Sequence, residues 1–253
     1  SGSTANISGG EIANAVDAFS GTTVNITGGT IADDFEAHDG STVNIFGGSV
    51  GVRFRAYDGS AVNISGGSVG GVFIPQIGSA VTISGGEYRL DGVPLGGIDG
   101  AGDSLTFNLA PGSLLSGTLA DGTPFAFCGG CGDGFIGEIT LQAVALPAIG
   151  PAMIVLADNP PPLGIRAGQT LRVANGATLP DNFHAGLGSI LIVEGSDRAA
   201  GSVGNYLEAV GAQITLAGGS IGFPFQAYTG SVVDITGGVV GNHFDALSGS
   251  TVN

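Results

Sequence analysis

A phrase of nineteen residues recurs from the start of this 253-residue chain. Its copies begin at residues 1, 20, 39, 58 and 77, and three successive ones open SGTTVNITGG, DGSTVNIFGG and DGSAVNISGG. A fixed period with glycine at fixed positions is typical of a solenoid, in which each repeat packs only on its neighbours. The chain is therefore expected to form a stack of similar coils.

The third copy predicts β-strands. Val43 and Ile45 are apolar, with polar residues before and between them, which is the period of two expected for a strand. Gly47 and Gly48 then predict a corner, where the backbone needs a positive φ. A short strand is expected next, around Val50.

The copy ends on a third predicted strand, in which Phe54 and Ala56 alternate with arginines before the Asp58-Gly59 turn signal. One copy is thus three short strands and three corners, and it cannot bury its own apolar face. Coils stacked about 4.8 Å apart can bury it. The sequence therefore predicts an all-β fold, a parallel β-helix with coils of nineteen residues.

The same frame returns near the other end of the chain. Residues 211–247 match it directly, and residues 167–210 match it with insertions. The segment between the two sets of repeats has strand-like runs and turn signals but no period. We therefore divide the chain into three parts: β-helix coils at 1–86, a β-rich capping and linking module at 87–166, and β-helix coils at 167–253.

The repeat is followed by LDGVPL (90–95) and LADGTPF (119–125). In this combination, over nearly the whole chain, it resembles the large secreted repeat proteins predicted in planctomycete-type bacteria. The resemblance implies export, an extracellular or cell-surface location and a right-handed β-helix. It implies no established activity, so it assigns no catalytic residue.

Composition narrows the classes of partner. The net charge is −15, with six arginines and no lysine, so nucleic acid and anionic membranes would be repelled. The apolar stretch 141–157 is too short and too interrupted by proline to span a bilayer. Polysaccharide stays a candidate partner. We expect no cofactor and no metal; an acidic surface can recruit Ca²⁺, but no loop has EF-hand spacing.

The two cysteines, Cys128 and Cys131, lie in FCGGCGD. One CxxC pair supplies only two zinc ligands, and no helical context supports a redox motif. For a secreted protein the pair predicts a disulfide, with two free thiols as the alternative.

Two outward-facing ranks of side chains are expected to run along the first coils. A flat array of Thr and Asn resembles calcium-dependent ice-binding repeats of some bacterial adhesins, although their GGxGxD motif is absent and the Thr rank ends in alanine. Solvent-facing ladders are the simpler interpretation. The predicted ranks are Thr4, Thr23, Thr42, Ala61 and Ala80, and beside it Asn6, Asn25, Asn44, Asn63 and Thr82.

The third strand of each coil gives another outward face. Asp34, Glu36 and His38 could form an acid–base site like those of polysaccharide-cleaving β-helices. However, Asp34 and Arg53 lie nineteen residues apart, as do Glu36 and Arg55, so the repeat itself predicts cross-coil ion pairs. We favour the ion pairs. His38 is expected to stack between Phe19 and Tyr57, whereas His184 and His243 stand in no motif.

The function predicted from these patterns is structural and non-enzymatic, in an extracellular fibre or surface layer. A carbohydrate-binding or polysaccharide-cleaving β-helix and an ice- or surface-binding adhesin segment are the alternatives. Ser1 already lies inside a repeat, so the chain is either a mature product or a piece of a longer one. Self-association, head to tail, is predicted through two matching strands. Their residues are Ser3, Thr4, Ala5, Asn6 and Ile7 at one end, and Ser250, Thr251, Val252 and Asn253 at the other.

Overall fold

The computed structural model confirms an all-β solenoid of stacked parallel coils. It divides into two compact units, residues 1–147 (unit 1) and 148–253 (unit 2). No described helix is long and apolar enough to cross a membrane. The described residues are 2–32, 34–51, 53–70, 72–129, 137–150, 153–155, 161–174, 176–195 and 200–253.

Unit 1 begins with coils that alternate a long and a short strand. The long strands form one parallel sheet, β1-β3-β5-β7-β9, and the short strands form another, β2-β4-β6-β8. Paired residues lie nineteen positions apart, which confirms the coil length. The strands are β1 (Ser3–Ile12), β2 (Val16–Ala18), β3 (Thr22–Ile31), β4 (Phe35–Ala37), β5 (Thr42–Val50), β6 (Arg53–Ala56), β7 (Ala61–Val69), β8 (Val72–Pro75) and β9 (Ala80–Leu90).

The predicted alternation is confirmed in the third coil. Val43, Ile45, Phe54 and Ala56 point inward and are fully buried, while Asn44 and Arg55, each between two of them, are partly exposed. Because neighbouring coils place the same residue type at the same position, the core consists of ladders. One of them is aromatic: the ring centroid of Phe54 lies 4.9 Å from that of Phe35 and 5.3 Å from that of Phe73.

The Gly-Gly pair bends a strand instead of ending one. Gly47 and Gly48 lie inside β5, and the register of the β5–β7 pairing shifts between Ile45 and Ser49. The positive φ of Gly48, 82°, allows this β-bulge without loss of the ladder on either side. The separate short strand expected around Val50 is therefore the second half of β5.

Substitution of the second glycine should become more costly inside the stack. Gly10 and Gly67 both have φ near 80°, so an alanine at either position is strained by about 1–2 kcal/mol. A Cβ at Gly10 would meet nothing within 4 Å, whereas one at Gly67 would lie 2.7 Å from the backbone of the preceding coil. We expect Gly67→Ala to lower the free energy of unfolding by about 2–3 kcal/mol, since the clash adds to the strain. Urea denaturation of both variants tests this, and equal losses would contradict it.

A non-repeating cap completes unit 1. Its hairpin β12–β13 pairs antiparallel with the second half of β9, and β14 pairs parallel with the first half, with β11 beyond it. The ring of Phe127 lies 4.9 Å from that of Phe73, so the cap continues the aromatic ladder and covers its end. The strands are β10 (Val93–Pro94), β11 (Ser104–Asn108), β12 (Leu114–Leu119), β13 (Pro124–Cys128) and β14 (Glu138–Ala143).

Unit 2 is a second stack with less regular coils. Its two main parallel paths are β15-β17-β20-β23-β25-β27 and β16-β19-β22-β24-β26, and β18 and β21 extend the first. The strands are β15 (Met153–Val155), β16 (Gly164–Ile165), β17 (Thr170–Val173), β18 (Thr178–Leu179), β19 (His184–Ala185), β20 (Ile190–Val193), β21 (Ser202–Val203), β22 (Leu207–Ala209), β23 (Gln213–Ile221), β24 (Phe225–Ala227), β25 (Val232–Val240), β26 (Phe244–Ala246) and β27 (Thr251–Val252).

The insertions predicted from the sequence appear as changes in coil length. Leu171 pairs with Leu191 and Leu191 pairs with Ile214, which makes these coils 20 and 23 residues long. The next pair, Ile214 with Val233, returns to nineteen. Strands β15 and β16 already pair within this stack, so unit 2 takes in residues that the sequence division assigned to the linking module.

Candidate functional site

A carboxylate–histidine cluster lies on the outward face of the short-strand sheet of unit 1. Asp17 of β2, Glu36 of β4 and Arg55 of β6 occupy the same position on successive coils. Ala37 points into the core, so its neighbours Glu36 and His38 both point outward. The repeat thus places one residue of each coil in a column, and His38 in the adjacent column.

Both predicted cross-coil ion pairs are present. Arg53 binds Asp34 through two parallel hydrogen bonds, from Nε at 2.9 Å and from a terminal nitrogen at 2.7 Å. Arg55 donates to Oε1 of Glu36 at 3.0 Å. These side chains are partly exposed, so each pair contributes about 0–1 kcal/mol to stability. Their larger effect is to fix the orientation of the two carboxylates.

His38 links two coils. Its Nε2 lies 3.0 Å from Oδ1 of Asp17 on the preceding coil and 3.6 Å from Oε2 of Glu36. Its ring is stacked between Phe19 and Tyr57, with centroid distances of 4.9 and 5.0 Å and interplanar angles of 9° and 8°. The sequence predicts this stacking, but the contact with Asp17 is diagonal, over twenty-one residues, and was not expected.

Tyr57 takes part in the same electrostatic environment. Partial burial raises the pKa of its phenol above the ordinary value. The negative charge of Glu36, and a hydrogen bond with that carboxylate, raise the pKa further. The shift reinforces the protonated form that a phenol already has at neutral pH.

The two outward ranks are present on the long-strand sheet. The Thr rank and the Asn rank have the predicted pairings through β1, β3, β5, β7 and β9. In the Asn rank, each side-chain amide donates to the amide oxygen of the preceding coil. The three distances, from Asn25 to Asn6, Asn44 to Asn25 and Asn63 to Asn44, are 2.9, 2.8 and 2.8 Å.

The strands predicted to mediate assembly lie at the edges of the two stacks. Within the described residues β1 pairs with β3 alone, and β27 pairs with β25 alone. Thr4 and Thr251 are exposed, and Ile7 is half-buried against the core of unit 1. Asn253 donates to Oδ1 of Asp234 at 2.7 Å, in the same direction as the bonds of the Asn rank.

Unit 2 contains a buried polar pair that the sequence did not indicate. Nδ1 of His184 lies 2.9 Å from Oε2 of Glu208, and both side chains are almost completely buried. Nε2 of His184 and Oε2 of Glu208 are both buried without a hydrogen-bond partner, so the 2.9 Å contact between the two side chains is not a well-aligned hydrogen bond. Burial raises the pKa of the neighbouring Tyr228, and the charge of Glu208 raises it further. The two residues are 24 positions apart because of the coil insertion, which hides their proximity in the sequence.

The third histidine forms an exposed pair. Nε2 of His243 lies 3.0 Å from Oδ2 of Asp245 on the same coil, and the histidine side chain is 55% exposed. Within the described residues, only Asp17, Glu36 and His38 form a group with metal-ligand spacing.

The predicted disulfide falls partly outside the described residues. Cys128 ends β13 and is not a free thiol. Cys131 lies outside the described part of the chain, so its pairing with Cys128 stays a prediction.

Comparison with known proteins adds no assignment. No protein-family model, no curated protein and no solved structure matches the chain. The likeness to secreted bacterial repeat proteins therefore stays a prediction from the sequence motifs.

Proposed function

We propose that the chain is a non-catalytic structural segment of an extracellular fibre or surface layer. The observation that carries the proposal is that the Asn rank and the arginine–carboxylate cluster of unit 1 are bonded from coil to coil. The Asn rank is hydrogen-bonded from coil to coil, and both arginines of the third coil bind carboxylates of the second. Side chains that bond to the neighbouring coil in this way stiffen the stack.

The catalytic alternative has less support. A polysaccharide-cleaving β-helix needs carboxylates that can reach substrate, usually in a groove walled by long loops. The coils of unit 1 keep the same nineteen-residue offset from β1 to β9, which leaves little chain for such walls. Asp34 is held bidentately by Arg53, and Glu36 is held by Arg55.

The ice-binding alternative is weakened by the side chains themselves. The Thr rank changes to alanine at Ala61 and Ala80. The corresponding rank in unit 2 contains Ile190, Gln213 and Val232. An array that orders water needs a regular spacing of hydroxyl groups, which these substitutions interrupt.

Coil-on-coil stacking between molecules would extend the fibre. An edge strand presents unpaired backbone N–H and C=O groups, which are a template for a further strand. In the Asn rank the later coil donates to the earlier one, so Asn6 of one molecule would donate to Asn253 of another in the same sense. We therefore propose the 253-residue chain itself as the partner, and no cofactor is required.

Proline in the edge strand tests this mode of assembly. The N–H of Ser3 donates to Gly21 on the neighbouring coil, so the N–H of Thr4 faces the open edge. Thr4→Pro would remove that donor while keeping the pairing of β1 with β3. We expect it to reduce filament formation at least about tenfold, since one lost edge hydrogen bond and an added ring oppose stacking at every junction.

Thr4→Val is the matched control, because it keeps the N–H and a strand-forming side chain. It should assemble like the unmodified chain. Light scattering and electron microscopy over a concentration series supply the measurement. Monodisperse particles of 24.6 kDa for the unmodified chain at high concentration would rule the proposal out.

A further inference from the structure

Three potential ligand atoms converge at the junction of the first two coils. One atom each from Asp17, Glu36 and His38 lies within 4.8 Å of the others. Nε2 of His38 is 3.0 Å from an oxygen of Asp17 and 3.6 Å from an oxygen of Glu36. Ligands bound tetrahedrally to one zinc ion at about 2.0–2.2 Å lie about 3.4 Å apart. Small side-chain rotations would therefore bring all three into one coordination sphere.

The charge of the cluster favours a cation there. Among the described residues, the carboxylates of Asp17, Asp34 and Glu36 face the guanidinium groups of Arg53 and Arg55. Arg53 is directed at Asp34, and Arg55 binds Oε1 of Glu36. Both arginines belong to the third coil, so the negative charge in excess lies toward the first, at Asp17 and at Oε2 of Glu36. These are the oxygens nearest to the imidazole nitrogen.

The ligands are already oriented. Phe19 and Tyr57 hold the plane of the His38 ring from both faces, within 9° of parallel, and in the observed orientation Nε2 is directed at the carboxylates. Arg55 fixes Glu36 through the oxygen that faces away from His38. Contacts of this kind around the ligands commonly change metal affinity 10–100-fold.

The donor set selects the class of metal. Imidazole nitrogen suits Zn²⁺ and its neighbours among the divalent transition metals, and carboxylates complete their coordination. Ca²⁺ takes six to eight oxygen ligands and would gain little from a histidine. A site with three protein ligands also leaves a position for water or for a fourth donor.

We propose that Asp17, Glu36 and His38 form a binding site for a divalent transition metal of the Zn²⁺ type. The ion joins Asp17, in β2 of the first coil, to two residues of the second coil: Glu36 in β4 and His38 directly after it. The ion acts as a cross-coil clamp. It holds the first coil on the second in addition to the hydrogen bonds between their strands. This assignment does not depend on the fibre proposal, because it concerns contacts within one chain.

Isothermal titration of the full chain with ZnCl₂ tests the site. We expect one ion per chain, and at least about tenfold weaker binding in Asp17→Asn, Glu36→Gln and His38→Gln. Asp17→Asn and Glu36→Gln are isosteric, and all three side chains are partly exposed, so the fold should be kept. Hydrogen exchange should slow in residues 3–18 when Zn²⁺ is added to the unmodified chain, and not in His38→Gln.

His243→Gln is the matched control. His243 makes the same 3.0 Å contact with an aspartate, but among the described residues no second carboxylate joins it in a metal-binding group and its ring is not stacked between two others. The His243→Gln variant should bind zinc as tightly as the unmodified chain. The titration is run without reductant, because Cys128 is not a free thiol and should stay in that form. The proposal is overturned if no zinc binds, if His38→Gln binds zinc as tightly as the unmodified chain, or if millimolar Ca²⁺ displaces the ion.

Discussion

Phe54→Ala should lower the stability of the coils around it by about 3–5 kcal/mol. Phe54 is fully buried at the centre of the aromatic ladder, between Phe35 and Phe73. Truncation removes ring contacts on both sides and leaves a cavity that neighbouring coils cannot close without breaking register. Hydrogen exchange of the amides in β4, β6 and β8 measures the local free energy of opening, which suits a stack in which coils need not unfold together.

Phe46→Ala is the control for that substitution. Phe46 belongs to the same coil but is 52% exposed, so its truncation leaves no cavity in the core. We expect a change within about 0.5 kcal/mol. A loss for Phe54→Ala no larger than that for Phe46→Ala would mean that the coils are held mainly by their backbone ladders.

The regular coils could be predicted because the repeat encodes their contacts. Once Val43 and Phe54 recur every nineteen residues, stacking dictates which residues meet, and the structure confirms these pairings. The same logic located the partners of Arg53 and Arg55. In these coils the spatial neighbour of a residue is the residue nineteen positions away, so the contact can be predicted from the sequence offset alone.

The fold prediction was wrong where one residue pattern is compatible with two backbone geometries. A Gly-Gly pair in a strand is compatible with a corner or with a bulge, and only the pairing beyond Gly48 decides between them. The first coil of unit 2 was missed because β15 and β16 lie in a stretch that does not follow the frame of the repeat. In the cap, β14 lies 58 positions from its partner residues in β9, and no periodicity reports such a contact.

The candidate site was predicted in part. The columns place Asp17 beside Glu36 and His38 between two rings, and both features follow from the period. The bond from His38 to Asp17 depends on which way the imidazole turns between those rings. Side-chain rotation is not encoded in a repeat, so the convergence of three ligand atoms became visible only in three dimensions.

The His184–Glu208 pair provides the other large expected effect. Both side chains are buried, so replacing His184 by a leucine of similar size leaves a carboxylate without its partner in the core of unit 2. Removing one member of a buried ion pair typically costs about 3–5 kcal/mol, whereas replacing both members by apolar residues is often neutral. We therefore expect a loss of that size in His184→Leu, measured by hydrogen exchange of the β19 and β22 amides.

Two further variants separate the charge from the packing. The double substitution His184→Leu with Glu208→Leu should recover most of the stability, because no unpaired charge then remains in the core. His243→Leu, on an exposed histidine that also contacts a carboxylate, should change stability by less than about 1 kcal/mol. If the double variant were as unstable as His184→Leu, the shape of the two side chains would matter more than their charges. Packing would then be what accommodates the coil insertion between β19 and β22, and the contact between His184 and Glu208 would be a consequence of that packing.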